Sequence, residues 1–192
     1  MQELKQGTAN IYPRPHEVNA IVPFTTDDGG EGTQILTSSG ACITKDNRTA
    51  HYIVRQYAEG EDKALRLIGH HYAPSLGSTH AFLLPISLDL TLVGLKYRTP
   101  GYSSHHRTWA YINIDHVERL YADPETKRNS YIELTGGKTL HLLWSVSTVR
   151  QKLVEAQYIH LRQLNQLRLS LKRIEAKMMR KGTEPGWVGI KS

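Results

Sequence analysis

Apolar residues in the first two-thirds of the chain occur in short runs separated by clusters of Gly, Asp, Asn and Ser. This pattern is typical of an antiparallel β structure, because short strands alternate there with tight turns. The runs rich in β-branched and aromatic residues predict strands at Glu17–Val22, Gln34–Leu36, Ala41–Thr44, Tyr52–Tyr57, Ala81–Ile86, Leu88–Tyr97 and Trp109–Ile114.

The clearest local prediction is a β-hairpin near residue 136. Two extended runs, Ser130–Thr135 and Lys138–Trp144, are joined by Gly136 and Gly137. Glycine adopts the positive φ angles that a two-residue hairpin turn requires. The sequence therefore predicts that these two strands are adjacent and antiparallel.

After Trp144 the apolar period changes from two residues to about 3.6, which predicts a long helix. Ser145 and Ser147 are both suitable N-caps. Residues 147–181 contain neither Gly nor Pro, and Gly182 is suited to end the helix. A helix of about 35 residues is on the order of 50 Å long. The predicted fold class is α+β: a mainly antiparallel β domain over residues 1–145, a long basic amphipathic helix over 146–182 and a flexible tail over 183–192.

The two halves of this helix have different apolar patterns. In the first half, Leu153, Val154, Tyr158 and Leu161 form a broad face that we expect to pack on the sheet. The second half carries apolar residues at steps of three and four, the spacing of a coiled-coil seam. The predicted dimerisation residues are Leu164, Leu167, Leu171, Ile174 and Met178. An intramolecular helix pair, or docking of the helix along its whole length, are the alternatives.

Positive charge is concentrated in the same helix. Residues 147–181 contain nine Lys or Arg and two Glu, a net charge of +7, whereas the residues before them contain 14 basic and 15 acidic residues, a net charge of −1. A basic helix next to a neutral domain is suited to bind a polyanion such as nucleic acid or an anionic membrane. The plainer interpretation is a solvated amphipathic helix.

Composition and motifs narrow the function classes. The chain is 39% apolar and 22% charged, which is typical of a soluble globular protein, and it has no apolar run long enough to span a membrane. Its one cysteine, Cys42, lies in a predicted strand, where we expect it to be buried, and the lack of a second cysteine favours a reducing cytoplasm.

The ten histidines raise the possibility of a metal site. The adjacent pairs His70-His71 and His105-His106 do not have the spacing of a known zinc motif. Nucleotide-binding and serine-hydrolase motifs are also missing. We therefore interpret the histidines as surface-loop residues, expect no cofactor or metal, and do not expect an enzyme.

The middle of the chain resembles the ComK family of bacterial competence transcription factors, over about Tyr57–Gln151. Glu61, Ile86 and Arg107 stand where that family has Arg, Thr and Cys, so the resemblance is to a divergent member. The segments that carry the resemblance, in family order, are Gly60–Gly69, Pro74, Phe82–Ser87, Trp109, His116-Val117, Leu134–Leu142 and Ser145–Gln151.

The resemblance implies an activator that binds paired A/T-rich boxes in double-stranded DNA, largely through the minor groove, and activates DNA-uptake genes. It also implies self-association to a dimer or tetramer, with an adaptor of a Clp-type protease and RNA polymerase as partners. The lack of a long apolar run predicts no membrane partner. A protein-interaction module that docks a partner by its C-terminal helix is the alternative, and a histidine metalloenzyme is a weaker third hypothesis.

Charge placement, and not the family pattern, selects the candidate DNA contacts. Arg or Lys inserts readily into the narrow minor groove of A/T sequence. The candidates on the helix are Arg150, Lys152, Arg162, Arg168, Lys172 and Arg173, and those near the loop before Trp109 are Lys96, Arg98 and Arg107.

Overall fold

The computed structural model describes residues 12–26, 28–72, 83–98 and 107–182. Within these residues an antiparallel sheet of nine strands is followed by a long C-terminal helix, as the sequence predicts. The loops predicted after residues 72 and 98 and the tail at 183–192 lie outside the described residues.

The strands are joined mostly by short turns. Their bounds are β1 Val18–Thr25, β2 Glu31–Thr37, β3 Cys42–Asp46, β4 Leu83–Pro85, β5 Thr91–Arg98, β6 Arg107–Asn113, β7 Val117–Ala122, β8 Ser130–Leu134 and β9 Lys138–Leu142. The helices are α1 Ala50–Gly60, α2 Leu65–Tyr72 and α3 Val146–Gly182.

The order of strands in the sheet is β3-β2-β1-β6-β5-β9-β8-β7, and β4 also pairs with β5. The predicted hairpin is confirmed as β8 and β9, whose turn has φ values of 82° at Gly136 and 78° at Gly137. This turn reaches the β2–β3 turn, since a Cβ on Gly136 would lie only 3.0 Å from Gly40 N and from Ser38 O. The sheet is therefore strongly curved, and strands far apart in its order meet at their turns.

Two apolar cores lie on the two faces of this sheet, because its central strands alternate buried side chains between them. On one face, Ile132, Leu134 and Leu140 pack with Val149, Ala156 and Ile159 of α3. On the other, α1 and α2 cover Ile21, Ile35 and Leu92. Thus α3 is held against one face of the sheet while α1 and α2 close the opposite face.

The prediction of a strand at Tyr52–Tyr57 is wrong, because these residues belong to α1. Thr49 caps the helix by accepting a hydrogen bond from the Tyr52 N–H, and the buried residues recur at helical spacing. Those residues are Ala50, Ile53, Val54, Tyr57 and Ala58. The β-branched pair Ile53-Val54 favours a strand locally, but the helical spacing of buried contacts across the whole segment outweighs it.

Two further expectations are corrected at the sheet edge and in α2. Cys42 is exposed, not buried, because β3 is an edge strand on which Ile43 is the residue that packs on the core. His70 and His71 lie in α2, a helix that the sequence pattern did not predict, and not in a loop. Strand β7 was likewise not predicted, since its alternation is interrupted by charged and exposed residues.

Candidate nucleic-acid interface

Helix α3 begins immediately after the sheet. The Ser145 hydroxyl accepts a hydrogen bond from the Thr148 N–H at 3.4 Å, so Ser145 is the N-cap. The helix has 37 residues, and its contacts with the domain extend to Gln163: His160 Nδ1 lies 3.0 Å from Thr91 Oγ1, and Gln163 Nε2 donates to Tyr72 Oη at 3.1 Å. We call residues 146–163 the docked half.

The rest of the helix extends beyond the domain. Every residue from Leu164 to Met179 is exposed. We call residues 164–182 the overhang, and at 1.5 Å per residue it is about 28 Å long. The predicted seam residues in it, from Leu164 to Met178, are 38% to 69% exposed.

The face by which the docked half packs is not the one we expected. Leu153 packs against the core, but Val154, Tyr158 and Leu161 are 57%, 59% and 58% exposed. The buried residues are Val149, Ala156 and Ile159. Val149 and Ala156 lie about 160–180° around the helix from Tyr158, and Ile159 lies about 100° from it. The small side chain of Ala156 lets the backbone of α3 approach the sheet closely, which hydrophobicity alone does not indicate.

Most of the predicted cations on α3 are available for contact. Arg150, Arg162, Arg168, Lys172 and Arg173 are exposed. Lys152 differs, because its side chain is only 23% exposed and its Nζ lies 2.8 Å from Glu155 Oε2. Its charge is partly neutralised by that carboxylate, so Lys152 is the weakest phosphate contact of the set.

The structure brings the second predicted group together at one hairpin. Residues 98 and 107 are direct partners where β5 and β6 meet, and Lys96 is the direct partner of Trp109. The loop that joins the two strands, residues 99–106, lies outside the described residues. These three positions thus lie together at the loop end of one β-hairpin.

Lys96 is also held by two indole rings. Its Nζ lies 5.9 Å from the centre of the Trp109 ring and 5.7 Å from that of Trp144. The two indoles meet edge to face with their centres 5.8 Å apart, an arrangement that suits both aromatic packing and a cation–π contact. Because Trp144 lies just before α3, this cluster connects the hairpin to the start of the helix.

Sequence reasoning missed Trp144 and a row of rings across β7, β8 and β9. Tyr121, Tyr131 and His141 are direct register partners, and their ring centres are 5.6 Å and 4.6 Å apart in stacked geometry. His141 Nε2 lies 3.0 Å from Asp123 Oδ2. The sequence pattern places Tyr131 and His141 on the outer face, because they alternate with the buried positions of β8 and β9. It does not show which residues are neighbours across the strands, because the register of a pair cannot be assigned from one strand alone.

Asp123 organises the β7–β8 turn. Hydrogen bonds hold the pKa of the Asp123 carboxyl below its usual value despite the opposing effect of burial. The largest contribution comes from the Glu125 N–H, and smaller ones come from Thr126 and His141. The carboxylate is thus committed to turn structure, and His141 to Asp123 and the ring row. We assign this pair a structural role.

The described part of the chain offers no group of three His, Cys, Asp or Glu side chains placed to hold a metal ion. Within those same residues, no helix has both the length and the apolar composition to cross a membrane.

A cleft of about 250 Å³ lies between β1, β2, β6 and the start of α1, and Phe24, Trp109 and Tyr111 are among its walls. That volume is below the usual range of small-molecule sites.

No family model, curated protein or solved structure matches this chain.

Proposed function

We propose that this protein is a DNA-binding transcription factor of the competence-regulator type. The observation that carries the proposal is the row of exposed cations on α3, which lie off the apolar stripe and therefore present their charge away from the sheet. Its members are Arg150, Arg162, Arg168, Lys172 and Arg173. The resemblance to the ComK family supplies the regulatory class, and the cations supply the physical means of binding.

The length of this row suits a duplex. Arg150 and Arg173 are 23 residues apart in one helix, or about 35 Å. One turn of B-DNA is about 34–36 Å long. The helix therefore reaches phosphates spaced over about one turn, and such contacts supply affinity and orientation without reading sequence.

The β5–β6 hairpin is the better candidate for reading sequence. Lys96, Arg98 and Arg107 occupy positions at its loop end. A cationic hairpin can enter a minor groove, and A/T-rich sequence offers a narrow groove of enhanced negative potential. We therefore propose that α3 positions the protein on phosphates and that the hairpin supplies the preference for paired A/T-rich boxes.

The regulatory part of the proposal follows the resemblance. As an activator of DNA-uptake genes, the protein acts in the cytoplasm, self-associates and contacts RNA polymerase. An adaptor that delivers it to a Clp-type protease would limit its amount.

The test is fluorescence anisotropy with two labelled duplexes, one with spaced A-tract and T-tract boxes and one rich in G·C, between 50 and 300 mM salt. We expect at least tenfold tighter binding to the A/T duplex, or about 1.4 kcal/mol. Because each phosphate contact lowers log K by about 0.9 per tenfold increase in salt, binding should weaken steeply with salt. Equal and weak binding to both duplexes would reduce the proposal to generic polycation behaviour.

A pair of variants locates the contact. Arg168→Gln with Lys172→Gln should lower the salt slope by about 1.8, since two phosphate contacts are lost. Lys127→Gln with Arg128→Gln is the matched control, because it removes two exposed cations from the β7–β8 turn. Equal loss of affinity in the two double variants would contradict an interface on α3.

One observation favours a second candidate function, the docking of a protein partner. The exposed Val154 and Tyr158 form an apolar patch on the outer side of the docked half. A partner that inserts apolar side chains there would use a different face from the overhang seam. In that case the protein would bind neither duplex, and Tyr158→Asp would abolish partner binding while leaving the unfolding transition unchanged.

A further inference from the structure

The apolar seam of the overhang continues the stripe by which α3 is docked. The docked stripe runs through Val149, Leu153 and Ala156, which pack in the core, and His160, which contacts the Thr91 hydroxyl. Steps of three or four carry it on through 164, 167, 171, 174 and 178. Residues at this spacing share one face of a helix. The sheet covers the part of the stripe in the docked half, and the part in the overhang, from Leu164 to Met178, is exposed to solvent.

We propose that the overhang seam, from Leu164 to Met178, is covered by the same seam of a second copy of this chain. The two helices are antiparallel, and Leu171 of one copy faces Ile174 of the other. The inference gives an orientation and a contact to the self-association named under the proposed function. It does not depend on DNA binding.

The position of the sheet excludes a parallel pair in register. Because the seam faces the same way as the docked stripe, a partner helix must lie on the side of α3 where the sheet lies. A parallel partner would run its own docked half alongside residues 146–163, where Ile132, Leu134 and Leu140 already pack. An antiparallel partner leaves that space to the sheet.

The length of the overhang fits the antiparallel arrangement. When Leu171 faces Ile174 of the other copy, residue 182 of one helix lies opposite residue 163 of the other. Gln163 is hydrogen-bonded to Tyr72 of α2, so it lies at the edge of the domain. The whole overhang is therefore covered, and the two domains lie at opposite ends of the pair.

A cleft also lies where the end of the partner helix would arrive. It has a volume of about 530 Å³ and is lined by Gln163, Tyr72 and the exposed Leu67, among others. The apolar surface therefore continues from the seam onto α2 at that point. A helix end seated there would cover Leu67 as well.

The charges beside the seam favour the same orientation. Arg168 and Glu175 occupy equivalent flanking positions, and an antiparallel pair places Arg168 of each copy beside Glu175 of the other. A parallel pair in register would instead place Gln163 beside Arg168 and Ser170 beside Glu175. Two complementary pairs form in the first arrangement and none in the second.

The size of the contact predicts a weak dimer. Covering five seam side chains in each copy buries on the order of 1,000 Å² in total, near the lower limit for a specific interface. Each overhang also carries six basic residues and one acidic residue, so the two repel each other. We expect dissociation in the micromolar range and tighter pairing as salt increases from 50 to 300 mM, the opposite of the trend expected for DNA binding.

Sedimentation of the full chain between 1 and 200 μM tests the contact. We expect a monomer–dimer equilibrium that Leu171→Asp weakens at least 50-fold. Ala176→Asp adds the same charge on the opposite face of the same helix and should leave the equilibrium unchanged, with circular dichroism confirming that both variants fold. A monomer at every concentration, or equal effects of the two variants, would overturn the proposal.

A charge exchange and a distance test the orientation. Arg168→Glu and Glu175→Arg should each weaken the dimer about tenfold, and the double exchange should restore it. A spin label at Arg162→Cys in a Cys42→Ser background should give a separation of about 30 Å between copies, whereas a parallel pair would give about 10 Å. A short distance would refute the antiparallel arrangement even if dimers form, and dimers that bind no DNA would refute only the proposed function.

Discussion

The two halves of α3 have similar apolar spacing but different surroundings. In the docked half, Val149, Ala156 and Ile159 are buried against the sheet, and in the overhang the residues of the same stripe face solvent. The comparison shows that an apolar stripe predicts a buried helix face. The stripe does not identify the surface that buries it. The domain determines how far along the helix its own sheet can provide that cover.

The largest expected effect comes from a pair of truncations that tests this difference directly. Ile159→Ala should lower the free energy of unfolding by about 2–5 kcal/mol, because it leaves a cavity in the core. Leu171→Ala should change it by less than about 0.5 kcal/mol, since that side chain is already half exposed.

Urea unfolding at submicromolar protein concentration measures both truncations without a contribution from self-association. Equal losses of stability would show that the overhang is covered within one molecule. The intramolecular helix pair, the alternative to dimerisation, would then be correct.

A smaller effect is expected at the turn that closes the curved sheet. Gly136 and Gly137 both have positive φ, so alanine at either position should cost about 1–2 kcal/mol. Gly136→Ala should cost about 1 kcal/mol more, because its Cβ would lie 3.0 Å from backbone atoms of Ser38 and Gly40, whereas a Cβ at Gly137 meets no atom within 4 Å.

Thermal unfolding of the two glycine variants gives this difference. Indistinguishable values would mean that the β2–β3 turn moves away at little cost. The curvature of the sheet on which the docked half rests would then not depend on this contact.

Much of the fold could be predicted because its signals are local. The Gly136-Gly137 turn and the extent of α3, between Ser145 and Gly182, depend on backbone freedom and capping. The misassigned segment at Tyr52–Tyr57 and the unpredicted α2 show the limit, because whether a short apolar run forms a strand or a helix depends on the surface that it meets.

The candidate site could be predicted less completely. Charge counts identified α3 and the cations near the β5–β6 loop, since charge is a property of the sequence itself. The cluster of Lys96 with Trp109 and Trp144 could not be predicted, because it brings together β5, β6 and the segment between β9 and α3, and only the three-dimensional arrangement does that. The partial neutralisation of Lys152 by Glu155 likewise depends on side-chain geometry.

The smallest expected effect concerns pH and contrasts the domain with the overhang. The folded pKa of Asp123 is lower than its unfolded value, so its carboxylate stabilises the fold above about pH 4, and this contribution is lost as the pH falls through the folded pKa. Asp123→Asn keeps the shape of the side chain but cannot ionise. Urea unfolding at pH 6, 4 and 3 should therefore show a shallower loss of stability for Asp123→Asn than for the unaltered chain.

Glu175→Gln is the matched control in the overhang and should leave the acid dependence of unfolding unchanged, because Glu175 is exposed. If Asp123→Asn shows the full acid dependence of the unaltered chain, the hydrogen bonds at the β7–β8 turn do not stabilise its ionised form. If Glu175→Gln instead flattens the profile, the overhang contributes to folding, and the division of α3 into a docked half and an overhang fails.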